Sequence, residues 1–247
     1  MIHDLEAAVA KHYAVSDLES RLLAALEREG HDIEHLAITD LAPVDEFHIG
    51  GRPATAYAVD KMSLSSLHHV LDVGCGIGGA ARYIASEKGC CVTGIDLTPE
   101  YINVAKSFAR RTGLSELVSH EVASALDMPF PDAYFDAAVT FHVAMNIRDR
   151  DGLYREVARV LKPKAEFCIY DVMKGPNEGL IFPVPWAETT ETSHVTSPER
   201  TKRSLDAADF DVVEVEDRTA YGINFSTSPQ RSGRLRVPKR EQIANSC

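Results

Sequence analysis

Apolar residues first recur along this chain at helical spacing. Leu18, Leu22, Leu23 and Leu26 form one stripe. Ser16-Asp17-Leu18-Glu19 precedes it with capping-box spacing, and Gly30 is placed to stop the helix. The run Asp45-Glu46-Phe47-His48-Ile49-Gly50-Gly51-Arg52 reads as a loop, and Pro53 opens a helix to about Met62. From residue 69 the period changes. Short apolar runs at 70–73, 91–95, 118–122, 135–141, 167–172 and 212–215 read as six strands. Helical patterns separate them: Ala80, Ala81 and Ile84; then Ile102, Ala105, Phe108 and Ala109; then Leu153, Val157, Val160 and Leu161. A last helix starts at Ser197-Pro198-Glu199 and ends near Ala208. Such alternation predicts right-handed crossovers and a mainly parallel α/β sheet with helices on both faces. Residues 1–62 are a helical extension, 63–220 the sheet domain and 221–247 a tail. Ligands of such sheets bind beyond the carboxyl ends of the strands.

Charge and composition narrow the function. The 247 residues carry a formal net charge of −11. An acidic surface repels phosphate backbones, so nucleic acid is not an expected partner. No apolar run has the length of a membrane span, and the first residues lack the basic start and apolar stretch of a signal peptide. Five cysteines (Cys75, Cys90, Cys91, Cys168 and Cys247) show no metal-ligand spacing. They read as reduced thiols of a cytoplasmic protein without a metal site. The tail is basic, with Arg231, Arg234, Arg236, Lys239 and Arg240 against Glu241, and lacks periodicity. Poor order is expected there.

The candidate chemistry begins at Asp72-Val73-Gly74-Cys75-Gly76-Ile77-Gly78-Gly79, between a strand and a helix. Gly74, Gly76 and Gly79 satisfy G-x-G-x-x-G, which lets backbone approach a ligand and presents a helix N-terminus. Asp96 ends the next strand, where a carboxylate accepts both hydroxyls of a ribose. Its competing reading is a helix cap, a task for which Thr98 is better placed. Together these residues predict a nucleoside-type cofactor. Asp72, two residues before the first glycine, suits a cationic ligand group better than a pyrophosphate; as a strand-end residue it also suits hydrogen bonds to loop amides.

Val70-Leu71-Asp72-Val73-Gly74-Cys75-Gly76-Ile77-Gly78 resembles the first motif of class I S-adenosylmethionine-dependent methyltransferases. Gly94-Ile95-Asp96-Leu97-Thr98 resembles their second, acidic motif. Ala125-Leu126-Asp127-Met128-Pro129-Phe130 with Phe135-Asp136 is similar to their adenine-side loop and fourth strand, and Leu161-Lys162-Pro163 to the turn before the fifth. The resemblance spans roughly residues 65–215. It is closest to the small-molecule branch that includes sarcosine/dimethylglycine, phosphoethanolamine and ubiquinone-pathway enzymes. The segment 45–55 and His142-Val143-Ala144-Met145-Asn146-Ile147 resemble bacterial members of that branch.

The resemblance implies a Rossmann-like fold, S-adenosylmethionine as cofactor and S-adenosylhomocysteine as product. It places Gly74, Cys75 and Gly76 against the methionyl part, Asp96 on the ribose and Leu97 on the adenine. Ser124 stands where many relatives have an adenine-accepting aspartate, Ala125 and Leu126 offer backbone and apolar contact, and Phe141 lies near the methionine moiety. Lys164-Ala165 and Asp209 replace glycines of the family pattern, at positions where positive φ is expected. The family's seventh strand is doubtful here. An exposed sixth strand then needs cover, for which a homodimer is one solution.

Methyl transfer is an in-line displacement that needs alignment and exclusion of water more than covalent chemistry. His142, just beyond the fourth strand, is the candidate base or substrate orienter; a hydrogen-bonded loop histidine is the equal alternative. Asn146 and Met145 follow as pocket residues. His48 is a lid candidate but reads more readily as a surface residue, and Tyr170 as a core residue. Trp186, the only tryptophan, lies in the apolar run Ile181-Phe182-Pro183-Val184-Pro185-Trp186. It either faces a cationic amine or anchors the loop. The leading function is methyl transfer to a small-molecule acceptor, with amine nitrogen ahead of oxygen or carbon. The alternatives are a scaffold of the same fold with impaired catalysis and, behind it, an NAD-type oxidoreductase.

Overall fold

The computed structural model describes residues 17–175 and 179–227. Three helices come first: α1 (Leu18–Arg28), α2 (Ile38–Asp45) and α3 (Gly51–Asp60). The sheet domain follows as β1 (His69–Val73), α4 (Gly79–Lys88), β2 (Cys91–Asp96), α5 (Pro99–Arg111), β3 (Val118–Val122) and β4 (Phe135–Phe141). A 3-10 turn at Ala144–Asn146 leads to α6 (Arg150–Val160) and β5 (Leu161–Tyr170). The chain continues through a second 3-10 turn (Thr190–Thr192) to α7 (Pro198–Asp206) and α8 (Thr219–Thr227).

The five strands lie in the order β3-β2-β1-β4-β5 and every pairing is parallel. Val70 pairs with both Val92 and Ala137, so β1 is the central strand. Strand order reverses between β1 and β4, which opens a crevice past their carboxyl ends. Strands buried on both faces read as near-continuous apolar runs, and Val70, Leu71 and Val73 are fully buried. One core joins Val70, Val92 and Val139 to Val59 of α3 and Ile84 of α4. The opposite core joins Leu71, Val73 and Ala138 to Leu153 and Val157 of α6 and Leu205 of α7. The helical extension is as expected in its stripe: Leu18, Leu22 and Leu26 pack with Leu41 and Val44 against Ile77 of the glycine loop and Phe108 of α5. Gly30 stops α1 at a φ of 91°. Ser16, the expected cap, lies outside the described residues, and Asp17 stands at the N-cap without a side-chain bond.

Two expectations fail at the C-terminal side. Residues 212–215 form no strand, and Val213 and Val215 are 95% and 73% exposed. Val212 still packs against the core, but Val213 and Val215 turn outward. The intervening acids face α3, where Glu214 pairs with Lys61 and Glu216 accepts from the Tyr57 hydroxyl at 2.7 Å. The sheet therefore stops at five strands among the described residues. Residues 221–227, expected in a poorly ordered tail, lie in α8; the rest of that tail is outside the described residues.

The two glycine replacements do sit in left-handed backbone. Lys164 has φ 70° and Asp209 has φ 63°. At Lys164 the cause is a shift in pairing: Phe135 faces Leu161 but Ala137 faces Glu166, so residues 162–164 bulge from the ladder. A left-handed non-glycine residue costs ~1–2 kcal/mol and a glycine returns about half of that as chain entropy. Lys164→Gly is therefore expected to raise the melting temperature by roughly 1–4 °C. A thermal melt in which the variant unfolds earlier than the parent counts against this account.

Candidate functional site

The crevice beyond β1, β2 and β4 is a cavity of about 370 Å³. Its floor is the glycine loop. Gly74, Gly76 and Gly78 all have positive φ, and the Gly74 and Cys75 amides donate to the Ile95 carbonyl at 2.8 and 2.9 Å. These bonds tie the loop to the end of β2. A side chain at Gly74 would collide with Val143, whereas one at Gly76 would meet only the Phe47 ring, at 3.8 Å. Backbone is thus bare at Gly76, where a ligand can approach it closely.

Asp96 spans the loop and the next helix. Its Oδ2 accepts from the Gly76 amide at 3.0 Å and its Oδ1 from the Thr98 amide at 2.9 Å. Thr98 stands at the N-cap of α5 as expected, but makes no side-chain cap bond, and its own amide donates to Asp96. Burial pushes the Asp96 carboxyl up, and the amides of Thr98 and Gly76 oppose the shift. Each oxygen keeps a further lone-pair site for a hydroxyl.

Asp72 is nearly inaccessible, and its Oδ2 has no hydrogen-bond partner. Burial, then the negative charges of Asp96 and Glu46, push its carboxyl up to about 7. Cys75 lines the cavity beneath it, and burial raises its thiol well above the ordinary range, so it is no nucleophile at neutral pH. Leu97, Ala125 and Leu126 form apolar walls farther along. Ser124 is not among the lining residues. Its Oγ accepts from the Leu126 amide at 3.0 Å and so shapes the turn that presents Ala125 and Leu126.

At the other end, β4 delivers Phe141 and His142 to the cavity. His142 holds a φ of 58°, fixed by its amide donating to the Tyr170 carbonyl at 2.8 Å and by its ring stacking on Tyr170 at 5.4 Å. Strain of this kind persists where the surroundings over-determine it, commonly at functional sites. Burial, and then the charge of His48, lower His142 to about 3, so the ring is neutral near pH 7. Tyr170, expected in the core, packs half-buried against the core of Val139 and Phe141, beneath the histidine rings. Met145 is buried and lines the cavity with Trp186. Asn146 lines it too, but its Nδ2 donates to the carbonyls of Trp186 and Thr192, both at 2.9 Å, and so fastens the 180s loop. Trp186 is anchored by Nε1 donating to Ser193 Oγ at 3.1 Å.

His48 is not a surface residue. It is 6% exposed, stacks on Phe141 at 5.1 Å and lies 5.8 Å from the His142 ring. Around it is a charge network, in a segment whose sequence reads as loop. Asp45 pairs with Arg82 and, at 3.0 Å, with Arg52; Glu46 pairs with Arg52, accepts from Thr55 and lies 3.0 Å from His48 Nε2. His48, Thr55 and Arg52 outweigh the cost of burial and hold the Glu46 carboxyl low. Phe47 stacks on Tyr101 at 5.8 Å and overhangs Gly76. The available signal was density: two acids, a histidine and an arginine within eight residues around paired glycines.

Among the described residues no cluster of three or more His, Cys, Asp or Glu could hold a metal, and no helix is long and apolar enough to cross a membrane.

Residues 71–169 match the family described as a methyltransferase domain. That segment forms most of the parallel, Rossmann-like sheet and its crevice. Methyltransferase GfsG of Streptomyces halstedii is 33% identical over 134 residues, covering 54% of this chain and 48% of that protein. Ajmaline N-methyltransferase of Rauvolfia serpentina is 38% identical over 146 residues, covering 55% and 50%. Among solved structures, the 4+2 cyclase SpnF is 26% identical with a TM-score of 0.66, over 86% of this chain and 74% of that one. The matches thus span half or less of the length of these curated relatives.

Asp72 carries a stability consequence. A carboxyl raised from 3.8 to about 7 favours folding fully below pH 4 and loses that contribution as pH rises through 7. Asp72→Asn has no charge to bury. It is expected to melt above the parent at pH 8, by up to ~4 kcal/mol of stability, with a smaller gap at pH 5. Melts at the two pH values that show the reverse trend overturn this reading.

Proposed function

We propose that this chain transfers a methyl group from S-adenosylmethionine to a small-molecule acceptor. One observation carries the reading: a buried, unpartnered Asp72 oxygen beside a glycine loop that leaves Gly76 open, with Asp96 at the neighbouring strand tip. Two carboxyls around the loop suit a cationic amino-acid group and disfavour a diphosphate, which argues against an NAD-type oxidoreductase. The residues fit the cofactor as follows. Asp72 takes the ammonium, Gly74, Cys75 and Gly76 pack on the methionyl part, and Asp96 accepts from the ribose. Leu97, Ala125 and Leu126 enclose the adenine. When bound, the cofactor supplies an electrophilic methyl group on a sulfonium.

The acceptor then belongs beside Phe141, His142 and Met145. A neutral His142 orients an acceptor by accepting its N–H or O–H, and Phe47 and Trp186 exclude water. Amine nitrogen is the preferred nucleophile, supported by the relative named as an N-methyltransferase. The free thiols of Cys75, Cys90, Cys91 and Cys168 suit a cytoplasmic setting, and the unpaired outer edge of β5 suits cover by a second copy. Likeness to a structure titled a cyclase favours a second reading, the same site without methyl transfer.

Titration calorimetry tests the cofactor. S-adenosylhomocysteine is expected to bind and NAD not to, and Asp96→Ala is expected to weaken binding at least about tenfold through lost charge-assisted hydrogen bonds. Binding of NAD, or an unchanged affinity in the variant, rejects the assignment.

His142→Ala is expected to lower turnover roughly 10–100-fold on whichever amine, phenol or quinone is methylated, with S-adenosylhomocysteine affinity retained. Because its ring titrates near 3, no rate change between pH 6 and 9 should vanish with this substitution. Full turnover in the variant removes the role. Tight cofactor binding without methylation of any acceptor supports the second reading.

A further inference from the structure

The segment after α7 does not trail away. It crosses α3 as a strap and ends in α8. Glu214 pairs with Lys61, Glu216 accepts from Tyr57, and Asp217 accepts from the Thr219 amide at 2.8 Å to start the helix. Between them Arg218 lies with its guanidinium 3.9 Å from the Tyr57 ring centroid and 4.4 Å from that of Tyr221, its Nη1 donating to Glu216 at 3.3 Å. A cation held between two rings is a directional clamp.

The clamp sets α8 on the site. A side chain at Gly50 would stand 2.9 Å from the Tyr221 ring, and one at Gly222 would stand 3.3 Å from Ile49 Cγ2. Ile49 and His48 line the cavity, and so does Ser226 at the far end of α8. Yet α8 buries no residue, so the clamp and these close approaches, rather than a core, are what set its position against Gly50 and Ile49. Its removal from the cavity would cost the fold little.

We propose that α8 is the acceptor-side wall of the site, with Ser226 as a specificity-determining residue and Arg218 as the positioning residue that holds the wall in place. This rests on the methyl-transfer reading for the word acceptor; the wall itself does not.

The single tryptophan makes the test direct, because Trp186 lines the same cavity. Acrylamide quenching of its fluorescence is measured on the full chain, with and without S-adenosylhomocysteine. Arg218→Ala is expected to raise the quenching constant about twofold or more, as local opening uncovers the ring. Arg218→Lys, which keeps a cation between the rings, should restore much of the protection. Ser226→Phe should lower the constant by filling the mouth. Affinity for S-adenosylhomocysteine should stay within about twofold in all three, since the cofactor residues lie elsewhere. Equal quenching in parent, Arg218→Ala and Ser226→Phe overturns the proposal, as does an Arg218→Ala effect that Arg218→Lys does not relieve. Failure of the parent to bind S-adenosylhomocysteine would sink the cofactor reading alone, because the quenching contrast is also read without ligand.

Discussion

The buried pairing of Asp45 with Arg82 is the constraint on which the site depends. Both side chains are fully inaccessible. Taking two charges out of water costs several kcal/mol each, and an apolar pair of similar volume is often as stable. What an apolar pair lacks is direction. Arg82 Nη1 also donates to the Ile77 carbonyl at 2.8 Å, inside the glycine loop, while its guanidinium lies 5.4 Å from the Phe108 ring of α5. Asp45 closes the end of α2, and its carbonyl sits so close to Gly79 that a side chain there would stand 2.7 Å from it. One ion pair therefore fixes the helical extension, the loop and the start of α4 against each other. Glu46, Phe47 and His48 follow Asp45 in sequence, so the same pair fixes the roof of the cavity.

The groups that line this roof and floor are arranged for something other than stability. Asp72 keeps one oxygen without a partner near Asp96 and Glu46, Asp96 is buried, and His142 keeps a left-handed backbone without being glycine. Each of these three features raises the free energy of the empty protein. A cation near Asp72 and hydroxyls near Asp96 would lower it again, which is how a binding site stores selectivity. Lys164 differs: its left-handed turn lies at the far end of β5 from the cavity, and no such compensation is available there.

Local chemistry explains what was legible in the sequence. The sheet was readable because buried parallel strands are continuous apolar runs, and the glycine loop because only glycine fits its backbone. Asp96 and Asp72 were readable from their spacing to that loop. The outward turn of Val213 and Val215 was not, because an apolar run does not say what its neighbours will pair with. Lys61 and Tyr57, some 150 residues earlier, decide that by taking Glu214 and Glu216. The burial of His48 was hidden for the same reason: its partners Phe141 and Tyr170 come from strand ends far along the chain. Ser124 and Asn146 stand out in the sequence as polar residues, yet Ser124 Oγ accepts from the Leu126 amide and Asn146 Nδ2 donates to carbonyls, destinations that residue type does not announce.

The cavity is divided between the segment that matches the family and segments outside it. Asp72, the glycine loop, Asp96, Leu97 and His142 all lie within residues 71–169, the segment shared with the family. Asp45 to Ile49, Pro185, Trp186 and Ser226 lie outside it. The rest of the lining comes from a loop before the sheet, a loop after β5 and the last described helix. Chains alike over the matched segment can therefore differ in what they accept, and a fold shared between an N-methyltransferase and a cyclase is what such a division permits. On the proposed reading the acceptor end of the cavity is therefore mixed: Phe141, His142 and Met145 come from the matched segment, and Ile49, Trp186 and Ser226 from outside it.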